Sequence, residues 1–242
     1  MTVSINSDLG EDIGIHSFGN DDAILKLVDT VNVACGMHAG DPGAMQRTVS
    51  AAAAAGVNVG AHPGLPDIAG FGRRPMAITS EEARDLVRYQ VGALVGFLNA
   101  RGLPLDHIKP HGALFGMAAS DEELMGAICE VARQYGVPVY GLAGTAHESA
   151  ASAAGVEFVP EFYVDLDYGD DGKLIVERRP KERPLESVRA RTVQALRDGT
   201  VTSRNGVLLP VTVESICVHS DLPSAPAVAQ AVREAIAAVQ AA

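Results

Sequence analysis

Short apolar runs rich in β-branched residues alternate along the chain with stretches whose apolar positions recur at helical spacing. The first kind predicts strands over Thr2–Ser7, Val31–Ala34, Val57–Ala61, His107–Lys109, Val137–Gly141, Val156–Pro160 and Ile216–Val218. The second predicts helices, and their ends are punctuated. Asp41 before Pro42 reads as an N-cap with proline at the first helical position, and Gly56 ends that helix. Thr79 with Glu82 and Ser120 with Glu123 read as capping boxes. Val87, Val91, Leu94, Val95 and Leu98 follow the first box and stop before Gly102; Leu124, Ile128, Val131, Ala132 and Tyr135 follow the second and stop at Gly136.

Repeated strand–helix units predict a parallel sheet with crossover helices, either open and doubly wound or closed into a barrel. The polar residues favour closure. In an open sheet ligand groups gather at one switch point. Here they follow almost every strand: Asp8 and Glu11, His38 and Asp41, His62, His111, Glu161 and Asp165, then His219 and Asp221. Only a barrel brings so many strand ends to one mouth. The expected architecture is therefore α/β, a single TIM-like barrel of (β/α)7 form spanning residues 1–242. A hairpin-like insert is expected over Tyr163–Arg178, turning at Asp170-Asp171-Gly172.

Composition narrows the partners. Lys and Arg number 19 against 30 Asp and Glu, a net charge of −11, which disfavours nucleic acid and anionic membranes as partners. No apolar run is long enough to span a bilayer and no leader pattern opens the chain. Three scattered cysteines, Cys35, Cys129 and Cys217, make no disulfide framework, so a cytoplasmic protein with reduced thiols is expected.

Several chemistries lack their signatures. There is no G-x-x-x-x-G-K-[ST] phosphate loop, no G-x-G-x-x-G between a strand and a helix, and no G-x-S-x-G elbow. His107 and His111 have the spacing of a helical zinc pair, but Pro110 between them and the strand-like run before them oppose it. What remains is a set of polar loops directly after apolar strands. Asn6-Ser7-Asp8-Leu9-Gly10-Glu11 places two carboxylates at a strand exit. Ala34–Pro42 carries His38 among glycines that admit a close backbone approach. His62 opens a loop of about 17 residues, long for this kind of connection, that ends in Arg73 and Arg74. That arginine pair could hold a carboxylate or phosphate. Lys109, in or just after an apolar strand and beside His111, needs a carboxylate partner or a depressed pKa if it is buried. His219 and Asp221 follow the last strand. His16, His107 and His147 are weaker candidates.

Five segments together resemble the LamB/YcsF family: SDLGE at 7–11, NVACGMHAGDP at 32–42, GAHPGLPDIAGFGRR at 60–74, HIKPHGALF at 107–115 and ICVHSD at 216–221. The resemblance implies a seven-stranded TIM-like barrel of the glycoside hydrolase/deacetylase type. It also implies ATP-dependent opening of the lactam of 5-oxo-L-proline (pyroglutamate) to L-glutamate, with ATP and Mg2+ used in a complex with B-type and C-type subunits. On that reading Asp8, Glu11, His38, His62, Lys109 and His111 are the catalytic candidates. Arg73, Arg74, His219 and Asp221 are the candidates for binding substrate or phosphate. Two other functions fit the same residues. One is a metal-dependent deacetylase or amidohydrolase acting without ATP, with a divalent metal in the mouth on Asp8, His38 and His62. The other is a non-catalytic ligand-binding subunit.

Overall fold

The structure is a computed structural model and describes residues 3–17, 19–177 and 181–241. Thr2 and Arg178, at the ends of a predicted strand and of the predicted insert, lie outside the described residues. In chain order the first elements are β1 (Ser4–Leu9), α1 (Asp21–Ile24), β2 (Thr30–Ala34), α2 (Pro42–Ala55), β3 (Asn58–His62) and α3 (Ser80–Asn99). Next come α4 (Gly112–Ala118), α5 (Glu122–Tyr135), β4 (Val139–Gly141), α6 (Ala146–Ala154) and β5 (Phe158–Tyr163). The chain ends with β6 (Asp167–Tyr168), β7 (Leu174–Ile175), α7 (Leu185–Asp198), β8 (Thr200–Thr202), β9 (Leu208–Pro210), β10 (Ser215–Cys217) and α8 (Ala225–Gln240).

Six strands form one parallel sheet in the order β3-β2-β1-β10-β5-β4. Its two edges are joined by a single residue, because Ile108 bridges in parallel to Ala61 of β3 and to Val139 of β4. Four backbone bonds make the joint: Ala61 N–H to His107 O and Lys109 N–H to Ala61 O, both 2.9 Å, with Ile108 N–H to Pro138 O and Tyr140 N–H to Ile108 O, both 3.0 Å. Pro110, with no N–H, cannot extend the ladder. The His107–Lys109 segment thus fills the seventh position of a closed barrel whose members follow one another in chain order.

Alternation along the strands divides two environments. Ile5, Val31, Val33, Val59, Ala61, Ile108, Phe162, Ile216 and Val218 are buried in the apolar cluster that includes Val87, Val91, Leu94 and Leu98 of α3. Each of the valine, isoleucine, leucine and phenylalanine side chains among them contributes roughly 1.5–3 kcal/mol on burial. The residues between them, Asn6, Asp8, Asn32, His62, His107, Lys109, Glu161 and Ser215, are buried and polar. The hydrophobic core therefore lies between strands and helices, and the barrel interior holds a polar column where barrels of this type usually stack branched apolar side chains.

Helix ends account for most differences from the predicted boundaries. Gly56, Gly136 and Gly155 are all left-handed caps, and the valine after each sends its N–H back into the helix: Val57 to Ala52 O, Val137 to Ala132 O and Val156 to Ala151 O. Those three valines close Schellman-type ends, so β3, β4 and β5 begin later than predicted. As a result Glu161 lies within β5. The capping box of Thr79 and Glu82 is present. At α5, however, the cap is Asp121, whose carboxylate accepts from Glu123 and Leu124 N–H, and not Ser120. The insert turns at Gly172 between β6 and β7, as expected. A second hairpin, β8 with β9, was not foreseen.

Gly60 shows how tightly the interior is filled. A Cβ there would stand 2.1 Å from Cε1 of the His107 ring, a contact that requires a shift at the closing segment. Gly60→Ala is expected to lower stability by about 1–3 kcal/mol or more in denaturant melts; an alanine accepted without loss would contradict this packing.

Candidate active site

Lys109 is the central charge of the barrel interior. Its Nζ lies 2.8 Å from Glu161 Oε1 and 3.1 Å from Asp8 Oδ1, with Asn6 Oδ1 at 3.3 Å and Cys217 Sγ at 3.2 Å. The Tyr163 ring packs 5.2 Å from the ammonium and its hydroxyl donates to Glu161. Burial alone would favour a neutral amine, but the charges of Asp8 and Glu161 outweigh it and hold the lysine well above its ordinary range. Asn32 Nδ2 donates to both Asp8 Oδ1 (2.7 Å) and Asn6 Oδ1 (2.8 Å), and its own Oδ1 accepts from His107 Nε2 at 2.5 Å. His107 in turn reaches Asp106 at 2.8 Å, so a polar column runs the length of the interior from Asp106 to Asp8.

The two carboxylates of the first loop have opposite environments. Burial raises Asp8, yet His62, Lys109 and His219 outweigh it and hold its carboxyl well below the usual range. Glu11 is raised by burial, which outweighs the downward pull of His111; the Asp8 charge adds to the rise against His62 and Arg73. Asp8 therefore stays ionised while Glu11 is biased towards its protonated form.

Three histidines stand beside them. His38 stacks on His111 with ring centroids 3.6 Å apart, and His62 meets both edge-on. His62 Nδ1 donates to Lys109 O at 2.8 Å and His111 Nε2 donates to Phe71 O at 2.8 Å. His62 Nε2 and His111 Nδ1 then face each other at 2.9 Å. Asp8 Oδ2 is 3.4 Å from His62 Nε2, and Glu11 Oε1 is 3.2 Å from His38 Nε2 and 3.7 Å from His111 Nδ1. Burial foremost pushes both His38 and His111 well below the ordinary imidazole range. The long loop after β3 holds this group together. Phe71 adopts φ 53°, uncommon for a residue with a side chain, to aim its carbonyl at His111. Gly72 packs where a Cβ would be 2.6 Å from His38 Cβ. Gln90 of α3 anchors the loop by exchanging two 2.9 Å bonds with Gly64.

At the rim His219 pairs with Asp165 at 3.0 Å and reaches Asp8 at 3.7 Å. Burial pulls its imidazole down, but Asp165 outweighs it and raises the pKa to about 9, so the ring is a cation at neutral pH. Arg73 reaches Asp221 at 3.4 Å and lies over Phe71. Asp8, Glu11, His62, Arg73, Lys109, His111, His219 and Asp221 all line one pocket at the carboxyl ends of the strands. His38 sits behind them, fully buried. Arg74 faces the outer vestibule and is tied to Asp67, whose carboxylate also caps the turn at Gly70. Of the weaker candidates, His107 belongs to the interior column and His16 is exposed. His147 is structural, accepting from Leu142 N–H and donating to Phe115 O. The sequence reading missed Asn32, Tyr163 and Gln90. Asn32 carried a usable signal, a lone polar residue inside an apolar buried strand.

The fold and this mouth define an α/β barrel with an ionisable active-site-like cavity at its carboxyl end. A carbohydrate esterase of family 4 from Streptomyces lividans shares the fold, with a TM-score of 0.50 at 12% identity over 98% of this chain and 88% of that one. The lactam utilization protein of Thermus thermophilus superposes with a TM-score of 0.90 at 40% identity, covering 99% and 98% of the two chains. The A subunit of the 5-oxoprolinase of Bordetella pertussis is 44% identical over 238 residues, 97% of this chain and 94% of that protein. The LamB/YcsF family model matches residues 3–242, and the chain belongs to that family.

Two expectations follow from the geometry. Lys109→Met leaves Asp8 and Glu161 buried without their counter-charge and should cost about 3–5 kcal/mol. Adding Glu161→Gln should recover part of the loss in thermal melts, and no recovery would remove Glu161 as the partner. The second concerns pH. An imidazole raised to about 9 from its ordinary 6.5 favours folding fully below about pH 6.5 and loses that contribution as pH rises through about 9. The stability margin of wild type over His219→Gln should shrink across that window; a pH-independent margin would contradict the His219–Asp165 pair.

Proposed function

We propose that this chain is the A-type subunit of an ATP-dependent 5-oxoprolinase, working as one barrel domain over residues 1–242 in the cytoplasm. It would open the lactam of 5-oxo-L-proline to L-glutamate together with B-type and C-type subunits. The observation that carries the reading is the split between Asp8 and Glu11 inside one mouth, on a chain aligned end to end with proteins named for lactam utilization and 5-oxoprolinase. Paired carboxyls with diverging pKa values mark an acid–base site.

A lactam carbonyl is a poor electrophile, and transfer of a phosphoryl group from ATP to its oxygen activates the carbon. Water then adds to that carbon, and the ring C–N bond breaks as the nitrogen takes up a proton, leaving an acyl phosphate on the side-chain carboxyl; a second water hydrolyses this acyl phosphate to L-glutamate and inorganic phosphate. Glu11, with its raised pKa, suits the proton transfers. Asp8 stays charged and orients His62. The His219 cation, facing the same pocket, suits the substrate carboxylate. Lys109 supplies fixed positive charge near the oxygen that becomes negative. Arg73 can grip a transferred phosphoryl group at the rim, whereas Arg74 is committed to Asp67. Lys109, Arg73 and Arg74 are each engaged by this chain's own carboxylates, which supports a nucleotide site on the partner subunits with Mg2+ bound there alongside ATP.

The purified chain by itself is expected neither to hydrolyse ATP nor to release glutamate at a useful rate. Adding both partner subunits should give the two activities together, with product tied to ATP consumed. Glutamate and phosphate are measured with each subunit omitted in turn; amide cleavage by the isolated chain without ATP would refute the assignment.

A further inference from the structure

Hydrogen-bond donors and acceptors around His62 and His111 leave a specific deficit. A backbone carbonyl only accepts, so His62 Nδ1 facing Lys109 O and His111 Nε2 facing Phe71 O must both carry hydrogen. In their neutral forms the remaining nitrogens, His62 Nε2 and His111 Nδ1, then present bare lone pairs to each other at 2.9 Å. Two lone pairs at that distance repel unless a positive species binds both. Asp8 Oδ2, 3.4 Å from His62 Nε2, adds negative charge beside this pair, and Glu11 Oε1 brings a third donor atom to 3.7 Å from His111 Nδ1.

We infer that His62 Nε2, His111 Nδ1 and a Glu11 carboxylate oxygen form a binding site for one divalent transition-metal ion of the zinc or cobalt class. Donor atoms bound to one ion at 2.0–2.2 Å stand roughly 3–3.5 Å apart, close to the spacings found here. Glu11, His62 and His111 each offer a donor atom within 4.8 Å of the others, and all three are buried. Every one of these donors also has the outer partner that orients metal ligands. Lys109 O holds His62, Phe71 O holds His111, and His38 Nε2, 3.2 Å from Glu11 Oε1, holds the carboxylate. Two imidazoles and one carboxylate leave coordination positions open, as in zinc sites that bind water or substrate. Imidazole donors favour zinc, cobalt or nickel over magnesium. His38 is a positioning residue in this arrangement and does not ligate. The site does not depend on ATP, on partner subunits or on the identity of the substrate; binding the ion displaces the Glu11 proton, so Glu11 is a ligand in the loaded chain and a proton-transfer group only in the metal-free one.

The test uses the isolated full-length chain, stripped with a chelator and titrated with Zn2+ alone and Co2+ alone. One equivalent of Zn2+ should bind per chain and raise the melting temperature. Co2+ should give visible ligand-field bands without a thiolate charge-transfer band. His62→Gln and His111→Gln should each weaken Zn2+ binding by about 100-fold or more and abolish the thermal shift, with circular dichroism confirming that they fold. His38→Gln should weaken binding by roughly 10–100-fold. Folded wild type that binds neither ion stoichiometrically overturns the inference and leaves a shared proton between the two imidazoles. A thiolate band overturns it in favour of the Asp8, Cys217 and His219 group, which also lies within ligating distance. Binding unchanged in both glutamine variants overturns it as well. The wild-type titrations decide the matter even if a variant fails to fold.

Discussion

Lys109 stands inside a closed barrel between Glu161 and Asp8, and much of the surrounding structure follows from keeping that charge there. Each of the three ions would cost several kcal/mol to bury alone. Together they balance only if the remaining lone pairs and protons are also met, and Asn6, Asn32 and Tyr163 meet them. This requirement explains why the inward strand positions are polar. It also explains why the apolar residues of the same strands must be covered by helices on the outside. The mouth inherits part of its electrostatics from the interior: Asp8 is kept ionised by His62 beside it and the lysine below it, and its charge then helps raise the nearby Glu11.

The histidine cluster rests on a different constraint, the supply of backbone carbonyls. Lys109 O and Phe71 O select which nitrogen of His62 and of His111 carries hydrogen. One of those carbonyls belongs to the segment that closes the barrel and the other to the long loop after β3. Closure and loop placement therefore set the protonation chemistry of the site together. The left-handed Phe71, the glycines packed on His38 and the Gln90 anchor hold the loop where its carbonyl is needed. Such a loop is longer than a simple connection requires because it contributes one wall of the site.

Much of this was legible in the chain. Alternating strand and helix patterns, with a polar residue after nearly every strand, pointed to closure, because only a ring gathers so many strand ends. The helix caps at Asp41, Gly56, Thr79 and Gly136 are local, set within a few residues, and so could be read directly. For the same reason Asp8, His38, His62, Lys109 and His219 could be named as candidates from their positions after apolar runs. The late starts of β3, β4 and β5 escaped the reading because the valine after each glycine cap looks like a strand residue while its N–H belongs to the helix.

Other features depended on distances that no local pattern encodes. Glu161 as the partner of Lys109, Asn32 as the donor to Asp8, and Asp67 as the residue that removes Arg74 from the mouth all join positions made neighbours by folding. The closure at Ile108 falls inside the strand predicted over His107–Lys109, but its pairing with both Ala61 and Val139, which sets which side chains meet inside, is a contact no local pattern states. The sequence by itself determined the order of the elements and the side chains carried to the mouth, since periodicity and caps act over a few bonds. Only the tertiary structure decided which of those groups are charged, which nitrogens face one another and which cations are already spent, because those depend on burial and on separations of a few ångströms across the ring.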